Sequence, residues 1–134
     1  MDRRLTRTLL DGSYSVCRLD AEEAPPTWAL NAAGFSSVTR TADELSVVCA
    51  EAAVPPGAKC ETGWRILKIE GPFAFSLTGI LASVAGPLAD ARVGIFSIST
   101  YDTDYVLVKA ADLEPAVAVL TGAGHRVRRP SGKG

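Results

Sequence analysis

The feature that most constrains this chain is a likeness between two of its own segments. Displaced by 60 positions, residues 34–49 lie without gaps on residues 94–109. Gly34 meets Gly94, Ser37 meets Ser97, Val38 meets Ile98, Glu44 meets Asp104 and Val48 meets Val108. Each copy reads as strand, polar turn, strand, so the chain is expected to hold one supersecondary unit twice. A chance likeness of two hairpins is the alternative. The match fails after Ala50, where Val54-Pro-Pro-Gly-Ala58 cannot continue as a helix. The first copy therefore reads as truncated.

Around that repeat, the residue pattern supplies the remaining elements. Arg3–Leu10 and Tyr14–Leu19 read as strands forming a hairpin about Asp11-Gly12-Ser13. Pro25-Pro26 can open a short helix over Thr27–Ala32. Trp64–Glu70 alternates as a strand with one buried face. Ser76–Ala89 places Ile80, Leu81, Val84 and Leu88 at helical spacing, with Ser76 or Thr78 as cap. Ile95–Ser99 and Tyr105–Lys109 are strands. Asp112-Leu-Glu-Pro115 starts a helix that Gly122 and Gly124 end, and His125–Val127 forms a last strand.

The second half then runs βαββαβ, a ferredoxin-like order of class α+β, and the first half is a degenerate version of it. Antiparallel sheets with helices on one face follow. The expected division is residues 1–60 for the degenerate module, 61–130 for the complete one and 131–134 for a tail.

Bulk properties narrow the function. The chain has 134 residues and net charge −1, without the basic excess that general nucleic-acid binding requires. No apolar run approaches the roughly 18 residues needed to cross a bilayer. The start, Met1-Asp-Arg-Arg-Leu, lacks the apolar stretch of a signal peptide, so a cytoplasmic location is expected. Cys17, Cys49 and Cys60 are odd in number and show no paired spacing, and they read as buried, inert thiols. With one histidine, His125, read as a strand-edge residue, the chain offers neither a four-ligand zinc set nor a nucleophile with its base. No metal, no cofactor and no catalysis are expected.

Ligand binding is the chemistry that fits. The N–H groups of a helix start near Ser76, Leu77, Thr78, Gly79 and Ile80 attract a carboxylate or phosphate, and Gly79 admits close backbone approach. In the βαββαβ order, Ser97, Ile98, Ser99 and Thr100 follow on the next strand, with Asp104 across its turn. An anion holder beside an acid suits a free amino acid better than a nucleotide, because Asp104 would repel phosphate. A capped helix without a ligand, and turn-forming roles for Asp102 and Asp104, are the alternatives.

Glu-Gly-Pro-Phe-Ala-Phe-Ser-Leu-Thr-Gly-Ile-Leu-Ala at 70–82 and Ile-Ser-Thr-Tyr-Asp-Thr-Asp-Tyr-Val-Leu-Val at 98–108 resemble ACT-domain proteins. They look most like the small bacterial tandem-ACT proteins similar to the aspartokinase regulatory region and the CASTOR-type arginine sensors. The resemblance covers about residues 64–127 well and residues 1–60 weakly. It implies a non-catalytic regulatory module that binds amino acids, usually where ACT units meet. By position it implies ligand contacts at Ser76–Ile80, Ser97–Thr100 and Asp104, the last toward a cationic ligand. A basic or polar amino acid, a homodimer and ligand-dependent assembly are the expected partners and output. A module of the same fold that binds only protein, or a small ferredoxin-like enzyme, are the other readings.

Overall fold

Alternation along one strand organises most of the chain. In the computed structural model, which describes residues 6–70 and 80–129, β5 (Cys60–Ile69) runs longer than any other strand. Its Leu67 and Ile69 face an apolar core, while Ile66 on the opposite face is equally buried. The chain divides into two compact units, Met1–Asp11 with Arg65–Gly134, and Gly12–Trp64.

In the larger unit, β1 (Thr6–Leu9) pairs antiparallel with β5, Arg7 opposite Ile69 and Leu9 opposite Leu67. On its other side β1 pairs in parallel with β8 (Arg126–Arg128). Beyond β5 lies β7 (Asp104–Lys109), which pairs with β6 (Phe96–Ser99). The strand order is therefore β8-β1-β5-β7-β6. The chain between β5 and β8 follows the expected βαββαβ order, with β1 from the chain start set between its first and last strands. The expected β1–β2 hairpin does not form: β1 takes β5 and β8 as partners instead. Two ladders, one on each edge of β1, outweigh the local turn signal at Asp11-Gly12-Ser13.

Helices α2 (Ile80–Asp90) and α3 (Leu113–Gly122) cover one face. Their Val84, Leu88, Leu113, Ala116 and Leu120 pack on Leu9, Leu67, Ile69, Val106 and Val108. Pro87 lies inside α2 without ending it. Both helices close with the same hydrogen-bonded exit: Val93 N–H donates to Leu88 O at 2.9 Å, and His125 N–H donates to Leu120 O at 3.0 Å. The left-handed residue of that exit is Gly124 (φ 97°) after α3 and Arg92 (φ 63°) after α2.

The smaller unit pairs β2 (Tyr14–Leu19) with β4 (Leu45–Ala50), and β4 with β3 (Ser37–Arg40). The short helix α1 (Thr27–Leu30) buries Ala29 against Leu45, Val47 and Cys49. A single 3₁₀ turn, Glu51–Ala53, stands where the larger unit has a helix, as the prolines that follow require. The Tyr14 hydroxyl accepts from Phe35 N–H at 3.3 Å, and a Cβ on Gly34 (φ 84°) would lie 2.7 Å from it.

Two sequence readings change here. Cys17 and Cys60 are joined in a disulfide across 43 positions, leaving Cys49 as the free, buried cysteine. Spacing carried no sign of this, because the pairing of β2 with β5 brings the two residues face to face. The repeat is real at the level of hairpins, but its register shifts by one. The turns Thr41–Glu44 and Thr100–Thr103 are equivalent, each closed by a threonine N–H donating to the last turn carbonyl, at 2.9 and 2.8 Å. Displacement by 59 then matches Val47 to Val106 and Cys49 to Val108, each on the face that carries its unit's apolar cluster, whereas 60 would match Cys49 to the half-buried Lys109 and cross the two faces. Glu44 is thus a turn residue, and the counterpart of Asp104 is Leu45.

Arg92→Gly should stabilise the protein by about 0.5–1 kcal/mol in urea unfolding. Relief of a left-handed β-carbon, worth about 1–2 kcal/mol, exceeds the extra entropy that glycine gives the unfolded chain. An unchanged or lower midpoint would contradict the strain assigned to this exit.

Candidate functional site

The β6–β7 turn is built by its own hydroxyls. Thr100 Oγ1 donates to Thr103 O at 3.1 Å, and Thr103 N–H donates back to Thr100 Oγ1 at 3.3 Å. Thr103, nearly buried, donates its hydroxyl to Ile69 O, which ties the turn to the end of β5. The turn is therefore held beside the point where the chain leaves β5.

Within this frame Ser99 stands opposite Asp104, and Ser99 Oγ donates to Asp104 Oδ1 at 2.5 Å. Ser97 stands opposite Val106, so by alternation Ser97, Ser99 and Asp104 share the helix-side face. Ser97, Ser99 and Thr100 are exposed and Asp104 is half-buried. Ile98 lies opposite Tyr105 and belongs to the other face, so it can meet a ligand at Asp104 only through its backbone. Asp102 is exposed in the turn. Ile80 is the first residue of α2, and Ser76, Leu77, Thr78 and Gly79 lie outside the described residues.

What this arrangement offers is a fixed carboxylate at an open turn. A carboxylate has about four acceptor positions, and one bond from Ser99 leaves most of them for an ammonium or guanidinium. Sequence reasoning passed over Tyr101, which stands 82% exposed on the same turn. It also passed over Thr103, whose bond to β5 fixes where the turn sits. Among the described residues no cluster of three or more His, Cys, Asp or Glu side chains could hold a metal ion. No helix among them is long and apolar enough to cross a membrane.

A second polar group lies inside the larger unit. His125 is buried rather than at a strand edge, because the α3 exit folds it back beneath α2. Its Nε2–H donates to Ser83 O at 2.9 Å, and Arg7 Nη2 donates to Nδ1 at 3.4 Å. Those two bonds define the neutral tautomer. Arg7 is itself fully buried, and burial pushes its guanidinium down to about 10. The sign of this was in the sequence: alternation puts Arg7 on the same face as Leu9. Burial, and then the charge of Arg7, hold the His125 imidazole below its ordinary 6.5 despite the Ser83 bond. The unfolded chain thus takes up this proton before the folded one does. The contribution is complete above pH 6.5 and is lost as pH falls below it toward the folded value. His125→Gln should therefore lose less stability than the native chain between pH 7.5 and pH 5. Parallel pH profiles in urea unfolding would remove His125 from the acid response.

Comparison with known proteins agrees with this fold. A family profile for the ACT domain matches residues 59–122, and a second profile, for an N-terminal domain, matches residues 12–57. The crystal structure of protein Atu0741 from Agobacterium tumefaciens superimposes with a TM-score of 0.91 at 44% identity, covering 98% of this chain and 97% of that one. The cytosolic arginine sensor for mTORC1 subunit 1 of Bos taurus is 31% identical over 97 residues, which are 64% of this chain and 30% of the sensor. The regulatory subunit of aspartate kinase from Thermus thermophilus superimposes at TM-score 0.59 and 14% identity, covering 84% of this chain and 93% of that one, a likeness of fold alone. The chain thus spans less than a third of the arginine sensor's length.

Proposed function

Because the chain belongs to the ACT-domain family, we propose that it is a non-catalytic regulatory protein that binds a free amino acid beside its β6–β7 turn. The observation that carries this reading is the Ser99–Asp104 pair on a turn fixed to β5. Asp104 receives the cationic part of the ligand, either the α-ammonium or a basic side chain. The start of α2 receives the α-carboxylate, as residues 76–80 led one to expect. Tyr101 adds a ring on which a cation can stack. The similarity to a protein named as an arginine sensor supports a basic ligand.

The smaller unit does not duplicate this arrangement. Its counterpart of Asp104 is Leu45, fully buried in an apolar cluster, so the acid is present in one hairpin only. This favours one site of the kind per chain. The ligand acts by binding one arrangement of ACT units more tightly than another, and a homodimer supplies the second arrangement. A cytosolic location accords with the name of the arginine sensor.

A thermal-shift panel of the twenty amino acids at millimolar concentration tests the reading. A selective rise in Tm for one or a few, most of all basic ones, is expected from binding to the native state. Asp104→Ala should then weaken that ligand by about 1.5–3 kcal/mol, the worth of a charge-assisted contact, without unfolding the protein. A flat panel would move the reading to a protein-binding module. Unchanged affinity in the variant would place the ligand away from this turn.

A further inference from the structure

The disulfide ties the start of β5 to β2. Cys17 on β2 stands opposite Cys60, the first residue of β5, with Cα atoms 4.0 Å apart. Arg18 N–H donates to Lys59 O at 2.9 Å, so the neighbouring pair carries the backbone bond and the cysteines occupy the close, non-hydrogen-bonded position. Apart from the bridge, the β2–β5 ladder is thin. Tyr14 meets Trp64 and Val16 meets Glu61, with a register shift between them. The residues before β5, Val54-Pro-Pro-Gly-Ala-Lys59, form a turn whose Val54 packs on the apolar cluster and whose Lys59 carbonyl takes the Arg18 bond. One further tie is Gly63 N–H donating to Glu51 Oε1 at 3.0 Å, on the exposed surface.

The two sulfurs are unequal in access. Cys17 is 2% exposed, whereas Cys60 is only partly buried. The third cysteine, Cys49, shares the same apolar cluster but is fully buried, and it stands opposite Ser15 rather than Cys17. Burial also raises its thiol above the ordinary value, which keeps it protonated and poorly nucleophilic. Cys60 is thus the more accessible residue of the bridged pair, although it packs against that cluster, and Cys49 is the buried competitor.

We propose that Cys17–Cys60 is a reversible thiol switch, entered at Cys60 by a small thiol, which fastens or releases the start of β5. A thiolate attacks the Cys60 sulfur, forming a mixed disulfide there and expelling Cys17 as a thiolate that takes a proton from water. A second small thiol attacks the mixed disulfide and leaves as the oxidised dimer, returning Cys60 to a thiol. The small thiols lose two electrons, and the bridge gains them with two protons. Release leaves Cys60–Trp64 held by a short ladder, so local opening of this stretch follows. A bridge of this kind also suits a compartment where thiols are kept reduced and disulfides are transient.

The test uses the whole chain, equilibrated without denaturant in glutathione buffers from oxidised-rich to reduced-rich. Free thiols are trapped by alkylation and mapped by mass spectrometry, and hydrogen exchange is followed on residues 14–19 and 60–64. The bridge should open within the series, close again when the buffer is reversed, and leave Cys49 unlabelled throughout. Exchange in both segments should rise several-fold on opening, and Cys60→Ser should show the fast pattern in every buffer. A bridge that resists the reduced-rich buffers, three free thiols in every buffer, or opening without faster exchange at those segments would each overturn the proposal.

Discussion

Everything at the candidate site depends on β5 being paired along both edges. On one side β1 lies against it through Arg7, Thr8 and Leu9; on the other lies β7, which carries Asp104 at its start. Both faces of β5 are buried as well: Leu67 packs against the helices, and Ile66 on the opposite face is equally shielded. The end of this strand then becomes a fixed point. Thr103 bonds to its last residue, Ile69, and carries with it the turn that holds Ser99 against Asp104. Loops usually acquire their shape from their surroundings, and here the surrounding is one carbonyl of a doubly paired strand.

The same pairing explains the buried polar pair. A strand that enters from the chain start and lies between β5 and β8 must present one face to the helices, and on β1 that face carries Arg7 beside Leu9. A buried guanidinium needs acceptors for its N–H groups. Its contact with His125, held in turn by Ser83 on α2, gives it a neutral acceptor inside the core. The His125 ring is delivered there by the helix exit at Gly124, so a local backbone motif decides a long-range contact.

Much of this was legible in the sequence, and what was not has identifiable causes. The helices over 80–90 and 113–122, the strands of both hairpins and the ACT resemblance all follow from periodicity and from the residues at 70–82 and 98–108. The repeat was visible but misplaced by one position, because similar residue types in a hairpin can be aligned without regard to which face is buried. The β1–β2 hairpin was read from a turn signal that distant strand partners override. The disulfide and the Arg7–His125 contact join residues 43 and 118 positions apart, and separations of that size leave no mark in local pattern. Ser99 and Asp104 were read as neighbours because a four-residue turn brings them together whatever the rest of the fold does. Ile98, one position along, belongs to the opposite face for the same reason of alternation.

The most direct measurement of the central claim is a backbone amide NMR titration with the amino acid that most raises the protein's melting temperature. The account predicts saturable shifts concentrated at Ser97–Thr100 and Asp104, with the equivalent hairpin at Ser37–Leu45 unmoved. Shifts centred on that hairpin, or confined to residues far from both turns, would contradict it.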